Sequence, residues 1–214
     1  MSEAPKVLRD RRQALEALRA RGIEPYAYGF RRSHRAGEAA DLFRALEEAG
    51  DLDDQDQGPE VRLGGRLVSW RGHGKSAFAN LEDGSGEIQL YFRVDVLGEE
   101  SFRDLDLLDL GDWIGVEGPL FRTRMGEVTV RARGWELLSK SLRPLPRGKV
   151  EVDEETGERT SHSAFSDTEA RYRQRYADLA VNPEVREVFR IRSRMIAALR
   201  AFLDERGFLE VETP

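Results

Sequence analysis

Arg71, Phe78 and Gln89 are residue types that proteins use to hold a single unpaired base. An aromatic ring offers a face for stacking, a carboxamide offers a donor and an acceptor to the base edge, and a cation contacts a phosphate. Phe78 and Gln89 fall on two consecutive predicted strands around the turn Asp83–Gly86, so we expect them to be near neighbours. The three residues predict a site that stacks a pyrimidine on Phe78 and contacts its edge with Gln89. Arg71 would reach the same base or its phosphate.

The strand pattern leaves a second interpretation of Phe78 open. Aromatic residues in small barrels usually pack inward, so the pattern alone favours a core position for this ring. The stacking role is the alternative, and it requires the Phe78 ring and the Gln89 amide to face outward together.

Few residues of the chain suggest catalysis or metal binding. There is no cysteine and the three histidines are scattered, so neither a thiolate nor a histidine metal site is expected. No glycine-rich phosphate loop of the Walker or Rossmann type occurs. Glu210 and Glu212 share one face of a predicted strand, where a solvated surface is the simpler interpretation. The sequence therefore predicts a binding function and no catalytic residue.

The net charge of −6 argues at first against a nucleic-acid partner, but the distribution of charge matters more than its sum. Between Asp95 and Glu117 there are eight acidic residues and one basic residue, and arginines lie on both sides of this block. One acidic face and one basic face are compatible with this order. Charge alone nevertheless favours an ordinary solvated surface.

Composition and hydropathy indicate a soluble protein with one compact region. Apolar residues make up 39% and charged residues 35% of the chain, which favours a compact middle with charged helical flanks. No apolar run approaches the roughly 18 to 20 residues of a membrane span, and the start lacks the apolar stretch of a secretory signal. A cytoplasmic location is therefore expected.

Two helices are predicted before the strands begin. Lys6–Arg21 has leucines near one face and is followed by Gly22 as a C-cap. A second, shorter helix around Phe43 ends at Gly50. The polar run 51–59 predicts a boundary.

From Glu60 onward, segments rich in strand-forming residues alternate with glycine-rich turns. Five strands are predicted, at Val61–Trp70, Ser76–Leu81, Glu87–Arg93, Asp112–Thr123 and Met125–Arg133. A helix is expected between the third and fourth strands, within Leu97–Leu110. This order favours a five-stranded Greek-key barrel of the OB type with flanking helices, and a fragment of a β-sandwich is the alternative.

The last third of the chain is predicted to hold a linker and a long helix. Residues 141–170 contain prolines and an acidic run, so they are predicted to form a linker with an exposed insertion. Asn182 is the expected N-cap and Pro183 the first residue of an amphipathic helix that Gly207 ends. The alternating run Phe208–Thr213 predicts a strand after it. The apolar stripe of this helix predicts a surface that another chain, or a continuation of this one, covers.

Several segments of the chain together resemble one family. In the barrel these are Gly65-Arg66, Arg71, Gly74-Lys75-Ser76-Ala77-Phe78, Leu81-Glu82-Asp83 and Ile88-Gln89-Leu90-Tyr91. Beyond it they are Leu142-Arg143-Pro144-Leu145-Pro146, Arg171-Tyr172-Arg173-Gln174-Arg175-Tyr176 and Arg206-Gly207-Phe208-Leu209-Glu210-Val211-Glu212-Thr213-Pro214. The combination is similar to class II lysyl-tRNA synthetases: their anticodon-binding barrel, linker, approach to the catalytic domain and motif 1. Aspartyl and asparaginyl enzymes also carry the trio Arg71, Phe78 and Gln89. The proline linker and the Arg-Tyr-Arg-Gln-Arg-Tyr stretch favour the lysine-specific enzymes.

The resemblance implies a role for each residue of the base site. Phe78 would stack on the central anticodon uridine, and Gln89 and Arg71 would recognise or hold that base. Glu127 matches a family position near a neighbouring anticodon base. The implied partner is the anticodon loop of tRNA(Lys).

The resemblance also implies how the chain is organised. Residues 1–59 would be an N-terminal helical extension, 60–140 the OB-fold anticodon-binding domain, 141–170 the linker, and 171–214 the start of the class II catalytic domain. Motif 1 would form a homodimer interface, with these residues: Val185, Phe189, Ile196, Leu199 and Pro214. The complete enzyme would use ATP and Mg²⁺ to activate lysine. Motifs 2 and 3 are absent from this sequence, so the chain alone is predicted to be inactive and to hold no cofactor. The acidic stretch Arg147–Ser166 is longer than the family's usual linker and has no assigned function.

Two other functions stay open from the sequence. One is a free-standing module that binds tRNA without catalysis. The other is a general single-strand-binding OB protein, which the similarity beyond the barrel disfavours. An open reading frame past codon 214 that encodes motifs 2 and 3 would distinguish a ligase from a free-standing module.

Overall fold

Two units make up the chain, residues 1–144 and residues 145–214. The computed structural model describes residues 5–53, 55, 57–146, 150–152, 159–161 and 165–212. Most of the stretch 147–166 and the last two residues, including Pro214, lie outside the described residues.

The first unit consists of helices around a six-stranded sheet. In chain order its elements are α1 Lys6–Ala20, α2 Ala36–Ala49, β1 Gln57–His73, β2 Ser76–Glu82, β3 Glu87–Arg93, α3 Val94–Leu97, α4 Glu99–Asp104, a 3-10 turn Leu105–Leu107, β4 Trp113–Arg122, β5 Val128–Arg131 and β6 Gly134–Ser139. Both predicted N-terminal helices are confirmed, and so are the first four predicted strands and the helical segment between the third and the fourth.

The sheet closes into a barrel with the strand order β1-β2-β3-β5-β4, because β4 also pairs with β1. The β3–β5 pairing is parallel and the other pairings in the ring are antiparallel. This is the Greek-key arrangement of an OB barrel, so the predicted fold is confirmed.

The fifth predicted strand, Met125–Arg133, is wrong in its bounds, and a sixth strand was missed. β5 is short, and β6 pairs with the first half of β4 after the chain bends at Ala132 and Arg133. Gly118 permits this bend, because a Cβ atom there would lie 2.0 Å from the carbonyl oxygen of Arg131. The glycines Gly118 and Gly134 are visible in the sequence. The sequence does not show that both β5 and β6 would pair with β4.

The barrel interior is filled by the side chains that alternate inward along each strand. In β2 these are Ala77, Ala79 and Leu81, and in β3 they are Ile88, Leu90 and Phe92. Successive strand residues point to opposite faces, so the residues between them lie on the outer face. Each buried leucine or phenylalanine stabilises the fold by roughly 1.5–3 kcal/mol.

Helix α2 is attached to the turn between β2 and β3 at its N-terminus. The Asp83 carboxylate accepts a hydrogen bond from Ala36 N at 2.9 Å, and Ser85 Oγ accepts one from Gly37 N at 2.9 Å. These two donors have no partner within the helix. Burial raises the pKa of Asp83, but hydrogen bonds from Ser85, Ala36 and the turn outweigh it, so its pKa lies below the ordinary value.

Helix α1 is attached to the barrel through a buried polar cluster. Arg11 donates to Leu110 O at 2.9 Å and to Ser141 O at 2.8 Å. Lys140 is buried beside them and donates to Asp112 at 2.7 Å and to Asp109 at 2.6 Å. Pairing both charges with hydrogen-bonding partners offsets the cost of burying them.

The described residues of the second unit form two short strands and three helices. β7 (Val150–Val152) and β8 (Arg159–Ser161) pair antiparallel within the predicted insertion, and α5 (Thr168–Arg173), α6 (Arg175–Val181) and α7 (Pro183–Asp204) follow. The long helix and its first residue are confirmed.

One sequence prediction for the second unit is confirmed in position only, because Asn182 is the N-cap residue without a side-chain cap, and another is wrong. Asn182 precedes α7, but its side chain makes no capping bond and donates to Asp178 Oδ1 at 2.7 Å instead. The strand predicted over Phe208–Thr213 does not form in the described residues 208–212. A strand needs a hydrogen-bonding neighbour, and an alternating pattern alone does not supply one.

We expect Asp83→Ala to lower the free energy of unfolding by about 0.5–2 kcal/mol, because it removes an acceptor from the N-terminus of α2. The folded-state pKa of Asp83 lies below 3.8, so its contribution is complete above that pH and is lost as the pH falls through the folded value. Urea unfolding at pH 7 and at about pH 3 measures both effects, with exposed Asp51→Ala as control. An equal loss of stability at the two pH values would contradict the assignment.

Candidate nucleic-acid interface

The β2–β3 register places Phe78 and Gln89 on the same outer face of the barrel. Phe78 lies opposite Tyr91, and Asn80 lies opposite Gln89, so Phe78 and Gln89 are diagonal neighbours. Phe78 is half-buried, whereas both of its chain neighbours are in the core. The core position that the pattern favoured for Phe78 is therefore wrong.

Arg71 completes the predicted group on β1. Its Cα is the cross-strand partner of Phe78, and its side chain is exposed. Residues opposite each other in an antiparallel pair have Cβ atoms roughly 4.5–5.5 Å apart. Arg71, Phe78 and Tyr91 consequently form one row across three strands of the outer face.

The outer face carries more aromatic surface than the sequence analysis found. The Phe78 and Tyr91 rings stack with centroids 4.5 Å apart and planes at 19°. The Tyr91 ring in turn lies 6.1 Å from that of Phe121 on β4. The Arg131 guanidinium lies 4.7 Å from the Phe121 ring centroid. Together these groups offer stacking surfaces and a cation beside the predicted trio.

The Gln89 amide is engaged on both sides. Its Nε2 donates to the Glu127 carboxylate, and its Oε1 accepts from Thr129 Oγ1 at 2.9 Å. The residue is 7% exposed. A carboxamide has two N–H groups and two carbonyl lone pairs, so these two contacts leave one of each unused.

Glu127 lies in the β4–β5 turn, next to the other predicted residues. Its carboxylate accepts a hydrogen bond from Gln89, which brings it to the group. Its backbone N donates to Thr123 Oγ1 at 3.1 Å, and Gly126 N donates to Thr123 O at 2.9 Å. The turn is therefore held by its own hydrogen bonds as well as by Gln89.

Arg122 joins this turn to the C-terminal end of helix α2. It donates to Gly126 O and forms a two-pronged ion pair with Glu47. The hydrogen bond from Arg122 holds the pKa of Glu47 below its usual value. Because Glu47 lies in α2, this helix is linked to the segment that carries Glu127.

The arginines that flank the acidic block do not form one continuous basic face. Arg62 lies 3.4 Å from Glu117 and 3.6 Å from Glu136, and Arg133 pairs with Glu60. Exposed pairs of this kind contribute roughly 0–1 kcal/mol each. Arg62 and Arg133 are therefore paired with acidic side chains on an exposed surface.

In the second unit, α7 presents an apolar stripe. Phe189 is 39% exposed, Ile196 37% and Leu199 59%, whereas Val185 is half-buried. No described helix is long and apolar enough to cross a membrane. Pro214, the last of the predicted interface residues, lies outside the described residues.

A buried carboxylate joins the three helices of the second unit. Asp178 on α6 accepts from Arg171 Nε at 2.8 Å, from Arg175 and from the Asn182 amide. Burial raises the pKa of Asp178, but these hydrogen bonds and charges outweigh it and hold the pKa below its ordinary value. The Arg-Tyr-Arg-Gln-Arg-Tyr stretch supplies both arginines, which gives it a structural role.

Four residues of the outer face were not predicted from the sequence: Tyr91, Phe121, Thr129 and Arg131. Tyr91 could have been predicted, because it follows Gln89 by two residues on the same strand and therefore lies on the same face. The other three lie on β4 and β5, and the pairing of β5 with β3 and with β4 is set by barrel closure. No local pattern in the sequence predicts that pairing.

Two family models match the chain. Residues 61–138 match the OB-fold nucleic acid binding domain, and residues 167–214 match tRNA synthetases class II (D, K and N). The first covers all the residues of the outer face described above, and the second covers α5 to α7.

Curated relatives are similar over nearly the whole chain. A lysine–tRNA ligase of Pelotomaculum thermopropionicum is 47% identical over 98% of this chain and 37% of its own length. Those of Carboxydothermus hydrogenoformans and Thermoanaerobacter sp. (strain X514) are 44% and 43% identical, each over 99% of this chain and 39% and 38% of their own lengths. The chain spans less than two fifths of these relatives. It belongs to the lysine–tRNA ligase family of class II tRNA synthetases and corresponds to the N-terminal part of its members.

Proposed function

We propose that this chain recognises the anticodon loop of tRNA(Lys) through the outer face of its barrel. The observation that carries the proposal is the convergence of Arg71, Phe78 and Gln89 on one side of strands β1 to β3. OB barrels bind single-stranded nucleic acid on such a face, combining aromatic stacking with cations along the backbone.

The Phe78 ring provides the stacking surface for the central uridine. Tyr91 stacks on one side of the phenyl ring at 4.5 Å, and the base would stack on the other side. Base–aromatic stacking contributes roughly 1–3 kcal/mol and tolerates any base. Stacking therefore supplies affinity, and the choice of base must come from polar groups.

Gln89 and Arg71 supply those polar groups. The remaining N–H and carbonyl lone pair of the Gln89 amide complement an acceptor and a donor on the uracil edge. Arg71 is exposed beside Phe78 and carries a charge for the base or its phosphate. Glu127 joins the site through Gln89.

The complete ligase would activate lysine with ATP and Mg²⁺ in the cytoplasm and transfer it to tRNA(Lys). The described residues contain no group of three or more His, Asp or Glu side chains placed to hold a metal ion. The sequence does not contain motifs 2 and 3, so no step of that reaction is assigned to a residue of this chain, and we propose that the chain alone is inactive.

We propose that residues 171–214 contribute to a homodimer through motif 1, and that 1–59, 60–140 and 141–170 are the helical extension, the anticodon-binding domain and the linker. The apolar stripe along α7 supports the dimer, because large exposed apolar patches mark interaction surfaces. Val185, Phe189, Ile196, Leu199 and Pro214 are its proposed contacts.

The first test of the anticodon assignment is Phe78→Ala. Loss of the stacking surface is expected to weaken binding of a tRNA(Lys) anticodon stem-loop by about 1–3 kcal/mol, measured by fluorescence anisotropy. Trp113→Ala serves as control, because it removes a partly exposed aromatic side chain at the other end of β4. Equal affinity of Phe78→Ala and the parent for the stem-loop would contradict the assignment.

The second test concerns base choice. Gln89→Ala is expected to reduce the preference for uridine over cytidine at the centre of the stem-loop, because the amide is the proposed contact to the base edge. The measurement is the ratio of the dissociation constants for the two RNAs. An unchanged ratio would mean that Gln89 only supports the fold.

The third test concerns the apolar stripe. We expect the parent chain to self-associate or to bind a hydrophobic dye, and Leu199→Glu to shift it towards monomer. Ala197→Glu is the matched control, because it adds the same charge on the side of α7 that carries Arg190 and Arg194. Sedimentation velocity measures the change. A parent chain that is monomeric and binds no dye would refute the proposed interface.

A further inference from the structure

We propose that Glu127 determines the choice of uridine over cytidine by fixing the orientation of the Gln89 carboxamide. It is thus a positioning residue that acts through Gln89. The inference rests on the proposed anticodon function and concerns how that site selects its base. Its basis is the pair of contacts that hold the amide, from Nε2 to Glu127 and from Thr129 to Oε1.

The two contacts constrain the amide unequally. An ionised carboxylate only accepts hydrogen bonds, whereas a hydroxyl both donates and accepts. The –NH₂ end of the amide must therefore face Glu127, and Thr129 Oγ1 adjusts by donating to the carbonyl end. A half-turn of the amide would set its carbonyl oxygen against the Glu127 carboxylate, which places two acceptors together.

Orientation matters because uracil and cytosine carry opposite polarity along the same edge. Uracil has a donor at N3 and an acceptor at O4, whereas cytosine has an acceptor at N3 and an amino donor at position 4. An amide held in one orientation complements only one of these patterns. An amide free to turn over complements either base, so it would add affinity without selectivity.

The position of Glu127 is itself held from outside the base site. Arg122 donates to Gly126 O and pairs with Glu47 on α2, and Glu127 N donates to Thr123 Oγ1 at 3.1 Å. The Glu127 carboxylate therefore approaches Gln89 from a turn that hydrogen bonds and an ion pair hold in place. A side chain on a loosely held turn would not impose one amide orientation.

The test uses Glu127→Gln, which keeps the size of the side chain but can donate as well as accept. The measured quantity is the ratio of dissociation constants for stem-loops with cytidine or uridine at the central position. We expect this ratio to fall by about fivefold or more in the variant. Removing one negative charge strengthens binding of both RNAs alike, so the ratio, and not the affinity, is the readout.

A double-mutant cycle separates action through Gln89 from direct contact with the base. In a Gln89→Ala background, Glu127→Gln is expected to leave the ratio unchanged. Thr129→Val offers a second comparison: it removes the hydroxyl that adjusts to the amide but keeps Glu127, so the ratio is expected to stay close to that of the parent. Glu136→Gln on β6 is the charge-matched control.

The outcomes distinguish this inference from the function on which it rests. A parent chain without preference for uridine overturns the proposed function and the inference with it. A parent that prefers uridine, together with a Glu127→Gln variant of equal preference, overturns the inference alone. An equal fall of the ratio in the presence and absence of the Gln89 side chain also overturns it, since Glu127 would then act without Gln89.

Discussion

The register between β2 and β3 is the constraint on which the candidate site depends. It is set at the turn, where Asp83 N donates to Gly86 O at 2.9 Å and Glu82 lies opposite Glu87. A slip of one residue would turn every side chain of a strand to the other face, burying Phe78 and exposing its alanine neighbours. Burial of the alternate residues of both strands opposes such a slip. The packing of the barrel core therefore also determines which residues lie on the outer face.

Helix α2 links the two turns that bound the outer face. Its first residues donate to Asp83 and Ser85 in the β2–β3 turn, and Glu47 near its end pairs with Arg122 beside the β4–β5 turn. Neither contact involves a residue proposed to touch RNA. The helix nevertheless positions both of the segments that lead into Gln89 and Glu127, which gives the N-terminal extension a role in shaping the site.

The sequence predicted what local chemistry determines. The β2–β3 hairpin follows from a glycine-rich turn between alternating strands, and α7 from apolar periodicity with Pro183 at its start. It did not predict the parallel β3–β5 pairing, which brings Thr129 beside Gln89, because that contact depends on closure of the whole barrel. Nor did it predict that the Asn182 side chain would turn to the Asp178 carboxylate, because that contact depends on where α6 places this buried, arginine-paired group.

The arrangement on the outer face divides affinity from selectivity. Stacking on Phe78, supported by Tyr91, is available to every base, so it cannot discriminate among them. Discrimination requires polar groups of fixed direction, and a carboxamide has no fixed direction of its own, because its two ends are nearly equal in shape. A neighbouring group that can only accept hydrogen bonds, such as a carboxylate, holds the carboxamide in one direction. The half-buried Glu127, an acidic side chain beside a proposed RNA site, makes physical sense in these terms: its repulsion of phosphate is the cost of holding Gln89 in a single orientation.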